Sequence, residues 1–138
     1  MKPGLKVGMS ETLEITVTKD MFAIFDEEVI HPAYSTASMV KHMEQVSRQL
    51  ILPFLEPHEE SAGAKVSMTH IAPTPEGSKV TCVALLTSST EKIVTTEVVV
   101  KNALGVIGKG TVSIALLQKG YMEKQLKTIQ DKLIAEGN

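Results

Sequence analysis

Apolar and polar residues alternate along several stretches of the chain, which is the pattern of a strand with one buried face. In the first stretch, Leu13, Ile15 and Val17 share one face. The later stretches are richer in β-branched residues, and some are apolar on both faces, as expected for strands inside a sheet. The pattern predicts strands over residues 11–17, 64–72, 78–88, 93–101 and 106–118.

A helical period replaces the alternation over residues 38–55. The apolar residues that recur there at helical spacing are Met39, Met43, Val46, Leu50 and Phe54. They fall within about 80° of one another on a helical wheel, and flanking aliphatic residues widen the arc to about 180°. An arc that wide predicts a helix largely enclosed by protein. The same spacing over residues 121–137 predicts a second, amphipathic helix.

Residues 18–37 carry apolar side chains without a clear period. His31 precedes Pro32, and the residue before a proline avoids the helical conformation, so any helix here must be short. We predict a short helix or a lid-like loop for this segment.

The predicted order is strand, long helix, four strands and a short helix. Short turns join the four strands, of which Pro73–Gly77 has typical turn chemistry, and this predicts a meander. One enclosed helix against one antiparallel sheet is an α+β arrangement. A sheet of about five strands wrapped around one long central helix, with a small C-terminal helix, is the hot-dog fold. We expect residues 1–138 to form one such domain.

Composition narrows the possible partners and location. The net charge is −2 without a basic block, so a nucleic-acid partner is not expected. The sequence has no apolar run long enough for a membrane span and no apparent signal peptide, so no membrane association is expected. Cys82 is the single cysteine, which excludes an internal disulfide and favours a reducing, cytoplasmic location.

Three polar residues stand among apolar ones and are candidates for chemistry. Glu44 falls at the edge of the apolar arc of the helix, His70 shares a strand face with Val66 and Met68, and Thr36 precedes the helix. Such placements are costly unless the groups satisfy one another or serve a ligand. Imidazole and carboxylate suit general acid–base work near neutral pH.

Each candidate also has a purely structural interpretation, and the residues alone leave it open. Glu44 would sit on a wet helix flank and pair with Lys41 or Arg48. His70 would be a core histidine bonded to a backbone carbonyl, and Thr36 would cap the helix.

The other polar residues give weaker signals. His31, His42 and His58 have no metal-ligand spacing with cysteines or carboxylates, so no metal is expected. The glycines near residue 108 match no nucleotide-binding motif and predict a bulge or a close backbone approach. Cys82 is expected to be a small core residue.

Three segments resemble one known family. They are STASMVKHME (35–44), PFLEP (53–57) and SAGAKVSMTHIAPTPEG (61–77), and together they resemble the fluoroacetyl-CoA thioesterase family of hot-dog proteins. The resemblance implies catalytic roles for Thr36, Glu44 and His70 and a substrate-binding position at Gly63. The family's longer, aromatic-rich lid is shortened here, which leaves selectivity for a fluorinated acyl group open.

The resulting expectation is an acyl-CoA thioesterase that releases free acid and CoA from a short-chain substrate, with no cofactor beyond the CoA in the substrate. The alternatives are a non-catalytic acyl-CoA or metabolite-binding protein and a dimerisation scaffold. A homodimer is expected because the strands at 78–88 and 93–101 are too apolar for one helix to cover.

Overall fold

The computed structural model describes residues 1–137. The strands are β1 (Ser10–Thr16), β2 (Phe22–Phe25), β3 (Glu28–Tyr34), β4 (Glu59–His70), β5 (Lys79–Ser89), β6 (Ile93–Asn102) and β7 (Gly105–Gln118). The helices are α1 (Thr36–Ile51) and α2 (Tyr121–Ala135). All five predicted strands and both predicted helices are present, although β4 begins five residues earlier than predicted and α1 begins two residues earlier and ends four earlier.

The main sheet has five antiparallel strands in the order β1-β5-β6-β7-β4. Strands β5, β6 and β7 form the predicted meander, but its extension to β4 is wrong, because β4 pairs with β7 at the edge of the sheet. The link after β4 does not close a hairpin with β5. It crosses to β3 instead, where Ala33 bridges Pro75 and the Tyr34 N–H donates to the Thr74 carbonyl at 2.9 Å.

Helix α1 packs its apolar side on the inner face of this sheet, as predicted. Its fully enclosed apolar residues are Met39, Met43, Val46 and Ile51. Cys82 is among the buried strand residues beneath it, which confirms its place in the core. A side chain at Gly108 would overlap the sulfur of Met39, so the predicted close approach occurs between this glycine and the helix. Burying each large aliphatic side chain contributes about 1.5–3 kcal/mol.

The prediction for residues 18–37 is wrong. One 3-10 turn, Lys19–Met21, leads into a hairpin formed by β2 and β3. Asp26 and Glu27 have φ values of 52° and 64°, which is the left-handed geometry of the turns favoured in two-residue hairpins. Because that turn usually contains glycine or asparagine, the residues at these two positions did not predict a hairpin.

A β-bulge interrupts the pairing of β4 with β7. Gly63 lies opposite Ile114 and Lys65 opposite Ser113, so Ala64 has no opposing residue. An extra residue reverses the alternation of side chains beyond it. The residues that face α1 therefore change from odd to even positions along β4.

Helix α2 lies outside the main layers and buries none of its side chains. Gly137 follows it with φ 80°, as predicted for a helix end. Within residues 1–137, neither helix has the length and apolar character needed to cross a bilayer.

Candidate active site

Thr36 and His70 form a direct hydrogen bond between the start of α1 and the end of β4. The Thr36 Oγ1 lies 2.8 Å from the His70 Nδ1, although 34 residues separate them in the chain. His70 is half-buried, and Thr36 is exposed. The expected proximity of these two side chains is confirmed.

The hydrogen bond of the other ring nitrogen of His70 identifies the tautomer of its neutral imidazole. Its Nε2 lies 3.1 Å from the carbonyl oxygen of Ala72, which can only accept a hydrogen bond. In the neutral imidazole, Nε2–H therefore donates to Ala72, and Nδ1 accepts from the Thr36 hydroxyl. Hydrogen bonds thus connect a hydroxyl (Thr36), a base (His70) and a carbonyl that orients the base (Ala72).

Thr36 does not cap α1. The capping residue is Ser35, whose side chain accepts a hydrogen bond from the Ser38 N–H at 3.0 Å. The structural interpretation of Thr36 as the cap is therefore wrong, and its hydroxyl is free to engage His70. The cap residue is one position earlier than expected because the helix begins at Thr36 itself.

Glu44 stands against the backbone of β4 at Gly63. A Cβ added to Gly63 would lie 2.9 Å from the Glu44 Oε2, so a larger residue there would force this carboxylate to move. The side chain is exposed, which fits the alternative of a solvated helix flank and not the expected place on the apolar side of the helix. The ion pairs found within residues 1–137 involve Glu59 and Glu14, so pairing of Glu44 with Lys41 or Arg48 is not supported.

The predicted trio does not meet within one chain. Thr36 and His70 line a cavity of about 350 Å³ together with small residues such as Ala23 and Ala33. Glu44 and Gly63 line a separate cavity of about 360 Å³. The eight residues from Thr36 to Glu44 correspond to about 12 Å along the helix axis. The structure therefore contains two half-sites, one at Gly63 near the middle of β4 and one at His70 at its end.

The hairpin closes one side of the Thr36 region. A cavity of about 160 Å³ lies between its strands and the start of α1, lined by Phe22, Phe25 and Thr36 among others. The hairpin thus occupies the position of the predicted lid.

A buried polar pair beside His70 was not identified from the sequence. The Tyr34 hydroxyl lies 2.6 Å from the His42 Nδ1, and Tyr34 is 2% and His42 6% exposed. Burial lowers the pKa of His42, with Lys41 adding to the effect and Asp20 opposing it. Tyr34 and His42 are eight residues apart and lie on either side of the turn into α1. This spacing matches no motif that would have predicted the contact.

Cys82 is not a candidate nucleophile. Burial raises its thiol pKa to about 11, so the group stays protonated near neutral pH. Its surroundings are the apolar core beneath α1.

Comparison with known proteins decides the family. A family model described as fluoroacetyl-CoA-specific thioesterase matches residues 17–120. The fluoroacetyl-CoA thioesterase of Streptantibioticus cattleyicolor is 30% identical over an alignment that covers 96% of this chain and 97% of the relative. The chain belongs to the fluoroacetyl-CoA-specific thioesterase family.

Solved structures agree with this assignment. A Thermus thermophilus member of the thioesterase superfamily is 34% identical, with a TM-score of 0.90 over 96% of this chain and 98% of its own. A hot-dog-like protein from Thermanaerovibrio acidaminovorans shares the fold with a TM-score of 0.82 at 17% identity, covering 92% of each chain. The predicted hot-dog fold and the predicted thioester hydrolase class are both confirmed.

Proposed function

We propose that this thioesterase hydrolyses a short-chain acyl-CoA, using Thr36, Glu44 and His70 as catalytic residues and Gly63 to contact the acyl thioester. The observation that carries the proposal is the Thr36–His70 hydrogen bond in the lining of the 350 Å³ cavity. It provides an oriented base at a hydroxyl, next to the N-terminal end of α1, where free N–H groups favour a developing oxyanion.

The proposed reaction begins with a water that donates to the Thr36 oxygen. As the water oxygen adds to the thioester carbon, its proton moves to Thr36 and the Thr36 proton moves to the His70 Nδ1. The tetrahedral intermediate then breaks its C–S bond, and the CoA thiolate takes the proton from the His70 imidazolium. The products are a free acid and CoA.

Two roles fit Glu44. It activates the water in the reaction above, or it attacks the thioester carbon in place of that water and forms an acyl–Glu44 anhydride that water then hydrolyses. A single turnover in ¹⁸O-labelled water tests for the second role. Addition of water to the Glu44 carbonyl of the anhydride leaves label in the protein carboxylate, so label there identifies attack by Glu44, because water activation places all label in the released acid. Mass spectrometry of the peptide that contains Glu44 gives the answer.

We also propose that the working enzyme is a homodimer in which each site combines two chains. Edge strand β4 has one side unpaired, and antiparallel pairing of two such strands is a common way to close a sheet edge. A two-fold axis between Val66 and Ser67 would set Gly63 of one chain opposite His70 of the other. Glu44, which stands over Gly63, would then approach the Thr36–His70 pair of its partner.

Mixing two inactive variants tests both the roles and the shared site. His70→Ala and Glu44→Ala are each expected to lose at least about 100-fold in kcat/KM. After the two variants are unfolded and refolded together, half of the dimers are mixed, and each mixed dimer has one intact site. We therefore expect about a quarter of the wild-type activity, because dimers re-form at random.

The outcomes of this experiment are distinct. No recovery on mixing contradicts the shared site, because a site built within one chain stays defective in both variants. Near-normal turnover in either single variant contradicts the catalytic assignment. Tight acyl-CoA binding without release of free thiol from the wild type supports the non-catalytic alternative.

The acyl group is proposed to be short because the hairpin and the small residues around Thr36 enclose little space. The cavity beneath the hairpin has a volume of about 160 Å³. A panel of acyl-CoA substrates of graded length, scored by CoA release, should show kcat/KM falling once the chain exceeds a few carbons. Unchanged turnover of long acyl chains would contradict this.

The protein is further proposed to be cytoplasmic. Its single cysteine, Cys82, is buried and free, which suits a reducing compartment. Fractionation of the cells that express it tests the location.

A further inference from the structure

Tyr34 is a buried aromatic residue that contacts several parts of the site at once. Its backbone N–H donates to the Thr74 carbonyl at 2.9 Å, which ties the end of β3 to the segment after His70. Its ring meets the His70 imidazole edge-to-face, with centroids 6.5 Å apart and an interplanar angle of 69°. Its hydroxyl reaches His42 on α1 at 2.6 Å.

Burial keeps both members of the Tyr34–His42 pair neutral at pH 7. Burial raises the pKa of the Tyr34 hydroxyl far above neutrality, and Cys82 raises it by a smaller amount. Burial lowers the pKa of His42, with a further lowering from Lys41 and an opposing effect from Asp20. The Tyr34 hydroxyl and the His42 Nδ1 therefore share a hydrogen bond between two neutral groups, in which the tautomer of His42 sets the donor. The two rings lie nearly parallel, at 9°, so the bond fixes the orientation of the Tyr34 ring.

The two hydrogen bonds of His70 hold the ring nitrogens but do not support the face or edge of its imidazole. They join its two nitrogens to Thr36 and Ala72, and both partners line the cavity. The buried Tyr34 ring supplies an edge-to-face contact, which is the favoured geometry for two aromatic rings. A ring held by His42 thus presents a fixed surface to the imidazole.

We propose that Tyr34 and His42 are positioning residues for His70. His42 holds the Tyr34 ring in place, and the ring keeps the His70 imidazole in the orientation in which its Nε2–H donates to Ala72 and its Nδ1 faces Thr36. This inference rests on the proposed function of His70. It assigns a role to two buried residues outside the proposed catalytic trio.

The first test compares substitutions that keep or remove the ring. Tyr34→Leu should lower kcat by at least about tenfold and change KM by less than about twofold, because a small misplacement of a base is costly. Tyr34→Phe keeps the ring but loses the hydroxyl that bonds His42, so its kcat should fall about three- to tenfold, less than in Tyr34→Leu and like that of His42→Leu. Val98→Ala, in the core on β6 and outside the site, is the control for general destabilisation and should leave kcat unchanged below its melting temperature.

The second test uses the His42 side. His42→Gln keeps a hydrogen-bond acceptor for Tyr34, whereas His42→Leu removes it. We expect His42→Leu to lower kcat about three- to tenfold and His42→Gln to stay closer to the wild type. If Tyr34→Leu does not fold, this pair still decides the proposal, because equal kcat values in the two variants overturn it.

The third test observes the imidazole directly and needs no substrate. Imidazole ¹⁵N shifts, assigned to His70 by comparison with His70→Ala, should show the Nε2–H form in the wild type and a mixture of both forms in Tyr34→Leu. A loss of kcat in Tyr34→Leu with an unchanged His70 spectrum overturns the positioning role. Absence of thioesterase activity in the wild type would contradict the proposed function instead, while this measurement would still test the pair.

Discussion

Gly63 and His70 face the same side of β4, although an odd number of positions separates them. Gly63 lies opposite the buried Ile114 and against Glu44, and His70 turns to Thr36 at the start of α1. Regular alternation would place them on opposite faces. The bulge at Ala64 inserts the extra residue that restores a common face, and both half-sites then open toward the helix.

Gly63 is predicted to control the position of the Glu44 carboxylate. In Gly63→Ala the new Cβ would lie 2.9 Å from the Glu44 Oε2, so the flexible carboxylate must move away. We expect kcat/KM to fall by about tenfold or more, since the geometry of a reacting group is critical. The melting temperature should change little.

Gly108→Ala is the matched comparison for Gly63→Ala. Its Cβ would overlap the Met39 sulfur in the packed core, so this variant should lose stability rather than activity per folded molecule. Full activity in Gly63→Ala would rule out the close contact with Glu44.

Neighbouring residues Ser35 and Thr36 should separate stability from catalysis. Ser35→Ala removes the cap of α1 and should cost about 1 kcal/mol of unfolding free energy. Thr36→Val removes the exposed hydroxyl bonded to His70 and should lower kcat/KM about 10- to 100-fold with little effect on stability. Urea denaturation and steady-state kinetics check the two. If kcat/KM fell strongly in Ser35→Ala but not in Thr36→Val, the roles assigned to these two residues would be reversed.

The buried hydroxyls of Ser47 and Thr96 form a coupled pair that ties α1 to β6. They lie 2.7 Å apart, and Ser47 also donates to the Met43 carbonyl at 2.8 Å. Ser47→Ala deprives Thr96 of this partner and should cost about 1–3 kcal/mol, whereas Thr96→Val should cost about 1 kcal/mol. The double variant should lose less unfolding free energy than the sum of the losses in the two single variants. Strict additivity in urea denaturation would refute the coupling.

His42 is predicted to make the protein less stable in mild acid. Burial lowers its pKa below the ordinary value of 6.5, so the unfolded chain binds a proton more readily than the folded one. The free energy of unfolding should therefore fall as pH drops below about 6.5, until His42 is protonated in the folded state as well. Melting temperatures of the wild type and His42→Gln at pH 7.5 and 5.5 check this. An equal drop in both proteins would contradict it.

The sequence predicted the elements well where one face of each is continuously apolar. Alternation identified the five strands, and the spacing of Met39, Met43 and Val46 identified the enclosed helix, because these periods follow directly from backbone geometry. The hairpin at residues 22–34 was missed because its turn, Asp26-Glu27, lacks the residues that normally adopt a positive φ.

The sequence also pointed to the polar residues of the site, but not to how they are grouped. Thr36 and His70 were expected together and lie 2.8 Å apart, whereas Glu44 was expected beside them in the same or the neighbouring subunit and, within one chain, stands at Gly63. Eight residues along α1 separate Thr36 from Glu44 by about 12 Å. Which part of β4 each of them meets depends on how the strand lies across the helix, and that is decided by tertiary packing.

By itself, the sequence determined the layered α+β architecture and the chemical identity of the candidate residues, because periodicity and side-chain type are local properties. Only the tertiary structure decided that β4 pairs with β7, that Ala64 is bulged, and that Tyr34 reaches His42 beside His70. Those features depend on which distant segments pack together. That packing is determined by the apolar surface buried by the whole chain, which is not a local property of the sequence.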